Sequence, residues 1–171
     1  MYKIIIEVFR AKIEGNSILY TKHDVVVGED DKRDPDELVH EELIKHMHVE
    51  NINKAITHST SWRFQKDGSI VLTYLVYSDF DDLSSKYDQD HKIHALKIED
   101  MEIARSKSHR SPRPEKIEEK NVVSHAIRHL AFLIQVGDKD RYSKLLGRNV
   151  SKLTQIFPQV SGRIRSDFFP I

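Results

Sequence analysis

The chain has no cysteine. That excludes disulfide scaffolds, thiol catalysis and thiolate metal centres, and it fits a reducing compartment, so a cytoplasmic location is expected. Proline and glycine are sparse, at 5 and 6 of 171 residues, which rules out collagen-like and low-complexity sequence. No apolar run approaches the roughly 18 residues of a membrane-spanning helix, so no membrane association is expected. The opening Met1-Tyr2-Lys3-Ile4-Ile5-Ile6 carries neither the basic region nor the small-residue cleavage site of a secretory leader. What remains is an ordinary globular composition, 39% hydrophobic and 32% charged. At this length, about 70% of the unfolded surface can be buried without disulfides or metals.

The net charge of zero conceals a division. Residues 1–100 hold 13 Lys/Arg and 20 Asp/Glu, whereas residues 101–171 hold 14 and 7. The acidic first part and basic second part either attract each other or leave the basic part for an anionic partner. A sequence pI of 7.2 also predicts poor solubility near neutral pH.

Periodicity predicts the elements. Tyr2 to Ile13 and Ile18 to Val27 alternate as strands around a Gly15-Asn16 turn. Asp34 as N-cap and Pro35 as first helical residue open a helix to about His48, with Val39, Leu43 and Met47 as its apolar stripe. Ile52 to Phe64 and Ile70 to Ser78 read as strands joined by Lys66-Asp67-Gly68-Ser69. Ile70 to Ser78 is apolar on both faces and should be central. His91 to Ile98 reads as a fifth strand. Arg105 to Glu119 is polar and proline-containing, a linker or loop. A helix follows from Val122 to Val136, with Val123, Ile127, Leu130 and Ile134 as its stripe; two more are expected through Leu146 and over Val150 to Phe157. The expected organisation is an α/β domain over 1–100, a basic linker over 101–120 and a helical extension over 121–171 packed on the domain.

Residues 34–50, DPDELVHEELIKHMHVE, resemble the Nudix helix region. The Arg-Glu-aliphatic part of that signature falls on Glu41, Glu42 and Leu43, and its final aliphatic on Val49. The following ITHSTSWRFQKDGSIVLTYLVYSD resembles the hairpin that comes after that helix in the family. The resemblance covers roughly residues 1–100 and implies a Nudix-like α/β/α sandwich with a mixed sheet. Lys45 and His46 stand at the positions of the two metal-binding glutamates, His48 at the glycine and Arg33 at the upstream glutamate. Magnesium requires oxygen ligands, so the resemblance implies the scaffold without its pyrophosphatase chemistry. The helix also has a purely structural reading, with Glu41–Lys45 and Glu42–His46 as favourable i, i+4 pairs.

Strict alternation over Ile56 to Phe64 puts Ile56, His58, Thr60 and Trp62 on one face, and Thr57, Ser59, Ser61 and Arg63 on the other. His58, Thr60, Trp62 and Arg63, with Glu42, are the candidate ligand-binding residues: Trp62 would stack on a planar ligand and His58 would hydrogen-bond to it. A core tryptophan beside a satisfied histidine is the bland alternative. His58-Ser59-Thr60 and His109-Arg110-Ser111 match halves of a two-histidine phosphodiesterase pattern, but ten histidines produce such triplets by chance. His125 and His129 lack a third ligand and read as a polar helix face. No catalytic set, metal set or cofactor is read from the sequence. The expected function is a non-catalytic Nudix-like domain that binds a nucleotide-like molecule or a protein. One alternative is a phosphate-ester hydrolase around Glu41, Glu42 and His58. Another is an interaction protein using basic residues between 105 and 165 on RNA or an acidic partner.

Overall fold

The computed structural model describes residues 3–83, 92–105, 114, 116–137 and 139–158. Strands β1 (Ile4–Glu14) and β2 (Ser17–Val27) form an antiparallel hairpin, with Ile4 opposite Val27 and Ile13 opposite Ile18. Gly15 closes the turn at φ 59°, a conformation that glycine adopts without a Cβ clash. Helix α1 (Pro35–His46) begins where expected: an Asp34 carboxylate oxygen accepts from the Asp36 amide at 2.8 Å. Asp36 and Glu37 in its first turn, and Lys45 and His46 in its last, complement the helix dipole. A single turn, α2 (Val49–Ile52), precedes β3 (Ile56–Phe64) and β4 (Ile70–Tyr77). The strand expected from Ile52 therefore begins four residues later, because Val49–Ile52 is helical. The fifth strand, β5, is shorter than expected, at His94–Lys97. Helices α3 (Glu119–Val136), α4 (Lys139–Leu146) and α5 (Val150–Gln155) follow among the described residues. Helix α3 starts ahead of the expected Val122, because Glu118 and Asn121 close a reciprocal capping box.

The five strands form one mixed sheet in the order β3-β4-β1-β2-β5. Strand β4 pairs on both sides, antiparallel to β3 and parallel to β1, so it is central as its apolar sequence predicts. Helices cover both faces. On one, Phe9, Ala11, Leu75 and Tyr77 pack with Val123, Ile127, Leu130 and Ile134 of α3. On the other, Ile6, Val8, Tyr74 and Val76 pack with Leu38, Val39, Leu43 and Met47 of α1 and the residue after it. Each fully buried aliphatic side chain contributes about 1.5–3 kcal/mol. Both apolar stripes read from the sequence are thus the core-facing stripes. Among the described residues, no helix is long and apolar enough to cross a membrane.

Candidate ligand-binding site

Strand β3 forms one edge of the sheet, and its register decides what it presents. His58 lies opposite Leu75 and Ser59 opposite Tyr74, but Ser61 lies opposite Thr73. One residue, Thr60, is extra. This β-bulge reverses the parity of the strand, so side chains on either side of it exchange faces. The expectation that His58 and Trp62 share a face is therefore overturned. His58 aligns with Leu75 on the α3 side, and Trp62 with Leu72 on the α1 side. Thr60 itself is buried, and its hydroxyl donates to the Thr73 carbonyl at 3.3 Å.

The residues read as candidates from the sequence consequently separate. On the α3 side, His58 Nε2 lies 2.9 Å from His129 Nε2, with the two rings stacked. Burial, and then the neighbouring His129, lower the His58 pKa against a smaller opposing pull from Asp36. His129 and Ser124 are buried, so this part of the helix face read as polar is covered, with His129 set against His58 of β3. Burial also lowers the His125 pKa, opposed by its hydrogen bond to the Thr60 backbone.

Arg63 is committed to structure. It grips the Glu7 carboxylate through Nη1 at 2.8 Å and Nη2 at 2.9 Å, and Nη1 also donates to Thr73 Oγ1. Burial raises the Glu7 pKa, but Arg63 and Lys22 outweigh it and hold the carboxyl below its ordinary value. Glu42 lies elsewhere. It accepts from Lys45 at 2.8 Å and His46 at 3.1 Å, and faces His23 of β2. Strand β2 is three places from β3, about 14 Å at the usual strand spacing. Glu41 pairs outward with Arg33. Glu41, Glu42 and His58 thus do not converge on one reaction centre.

What the bulge does assemble lies on the α1 side. Thr57 and Ser59 before it, and Trp62 and Phe64 after it, all align with the α1-facing residues of β4. An open cleft of about 360 Å³ runs between this edge and α1, bordered by Asp36, His40, Leu43, Thr57, His58, Ser59 and Tyr74. The Tyr74 hydroxyl donates to Asp36 at 2.6 Å, and burial together with that carboxylate raises its pKa, so it stays protonated. Trp62 is 64% exposed and meets Phe64 edge to face at 5.5 Å. The cleft thus offers hydroxyl, imidazole and carboxylate groups on the same face as an exposed indole. Sequence reasoning found Trp62 and His58 but missed Tyr74, which β4 presents opposite Ser59, and Asp36 and His40, which reach the cleft only through the docking of α1.

The basic residues are partly committed. Arg128 donates to the Met101 carbonyl at 2.6 Å and Lys152 to the Gly15 carbonyl at 2.8 Å, while Lys144 is exposed. Residues 106–113 and 159–171, including His109, Arg163 and Arg165, lie outside the described residues. Among the described residues, one group has metal-ligand geometry: His23, Glu42 and His46. No protein-family model matches the chain, and no curated protein sequence matches it at a significant level.

Proposed function

We propose that the chain is a non-catalytic, Nudix-like domain that binds a nucleotide-like ligand in the cleft between α1 and β3. The observation that carries this reading is the bulge at Thr60, which sets the exposed Trp62 on the same face as Ser59 and Tyr74. A planar base stacks on the indole. The sugar hydroxyls meet Asp36 and the polar edge formed by Thr57 and Ser59. Asp34, Asp36 and Glu37 make this end of α1 acidic, so recognition runs through base and sugar rather than through phosphate charge. The Nudix-like part rests on the residues 34–50 pattern and on a helix placed between two hairpins against a mixed sheet. The absence of convergence among Glu41, Glu42 and His58 supports binding over hydrolysis.

Trp62 is the sole tryptophan, which makes it a built-in reporter. Nucleosides and their monophosphates titrated into the protein should quench its fluorescence and raise the melting temperature. Ligand at 100 times its dissociation constant adds about 2.7 kcal/mol of stability. Asp36→Ala should weaken binding while leaving the tryptophan signal to report it. If no nucleoside or nucleotide alters either fluorescence or melting, the reading is wrong.

A further inference from the structure

We propose that His23, Glu42 and His46 form a site for one divalent transition-metal ion of the zinc class. The three donor atoms, one from each residue, lie within 4.8 Å of one another. His46 Nε2 is 3.1 Å from Glu42 Oε1, and His23 Nδ1 is 4.0 Å from the same oxygen. Metal bonds of about 2.0–2.2 Å place neighbouring ligands about 3.0–3.5 Å apart. Closing the set around an ion therefore takes side-chain shifts of an ångström or so, without backbone movement.

Each ligand is already aimed. His23 projects from the middle of β2, opposite Val8, on the α1 side of the sheet. Glu42 and His46 are one turn apart on α1, so both reach the same flank of that helix. The core formed by Leu38, Val39, Leu43, Ile6 and Val8 fixes helix against strand. Thr21 Oγ1 lies 3.1 Å from His23 Nε2. With Nε2 donating to that hydroxyl, Nδ1 carries the lone pair that faces Glu42, the outer-contact arrangement typical of ligating histidines. Lys45 holds the other oxygen of Glu42 at 2.8 Å, which orients the carboxylate and leaves Oε1 for the ion. Glu42 and His46 are 14% and 16% exposed, so the group is partly accessible from solvent.

Two imidazoles and one carboxylate select zinc, ferrous iron or cobalt over magnesium and calcium, which prefer all-oxygen sets. The site lies on the flank of α1 facing β2, whereas the cleft lies on the flank facing β3. The two are therefore independent, and either can fail alone.

The test is calorimetric titration of the full chain with Zn²⁺ after chelator dialysis, with Co²⁺ absorption as a second readout. One ion per chain is expected, with visible Co²⁺ bands that report nitrogen ligation. Millimolar-range Mg²⁺ should not displace it. His46→Gln and Glu42→Gln, both on the outer side of the pair of elements, should each weaken Zn²⁺ binding on the order of tenfold or more. Circular dichroism verifies that each variant is folded. His94→Gln, on β5 opposite the α3-side Tyr20, should leave affinity unchanged. Absence of stoichiometric uptake, or uptake equally strong in His46→Gln and Glu42→Gln, overturns the site.

Discussion

Arg10 and Asp81 form the most deeply buried ion pair among the described residues, their side chains 1% and 3% exposed. Arg10 Nε donates to Oδ2 at 3.1 Å and Nη2 to Oδ1 at 2.9 Å, a two-pronged contact between the central strand β1 and the segment after β4. Asp81→Ala would leave a guanidinium desolvated without this partner. Breaking one side of such a pair costs about 3–5 kcal/mol, because the surviving charge stays in a low-dielectric interior. For a chain of this length, 1 kcal/mol moves the melting temperature by about 2–4 °C. The expected loss is therefore on the order of 10 °C by calorimetry. The companion variant, Arg10→Met with Asp81→Leu, removes both charges and should be markedly more stable than Asp81→Ala alone. The reasoning is refuted if Asp81→Ala melts within about 2 °C of the parent, since that is within the effect of an ordinary surface change. It is refuted equally if the losses in Arg10→Met and in Asp81→Leu, made singly, add up to the loss in the double variant, which would mean that the charges do not see each other.

Two further outcomes are expected. Ile127→Ala in α3 empties a fully buried position against the sheet and should cost about 2–5 kcal/mol in urea unfolding, whereas Lys144→Ala on the exposed face should be near neutral. The His58 and His125 pKa values are lowered below 6.5 chiefly by burial, so below that pH the unfolded chain binds more protons than the native one. Their contribution is full above about pH 6.5 and is lost as the pH falls through the folded values. The urea midpoint measured from pH 8 to 5 should therefore decline over that window, and less steeply in His125→Gln. A midpoint that rises on acidification contradicts the assignment.

Elements governed by neighbouring residues were legible in the chain. Gly15-Asn16 marks the first hairpin, Asp34-Pro35 the start of α1, and the 3.6-residue stripes mark the buried faces of α1 and α3. The doubly apolar Ile70 to Ser78 announces a strand covered on both sides. The start of β3 was misplaced by four residues: the strand expected from Ile52 begins at Ile56, because Ile52 ends the single turn α2 and a turn at Asn53-Lys54 follows it.

The candidate site was only half legible, and the reason is parity. Face assignment along a strand depends on its partner as well as on its own sequence. No glycine or proline signals the bulge at Thr60, yet that one residue carries Trp62 from one side of the sheet to the other. His58 and His129 stand 71 positions apart and meet at 2.9 Å only because α3 packs on the face that β3 shares. His23 reaches Glu42 and His46 only because α1 docks over β2. Local chemistry in the sequence thus determined which segments become strands and helices and which sides they bury. Only the tertiary structure decided which polar side chains meet, because hydrophobic packing sets the approach of the elements and polar neighbours follow from it.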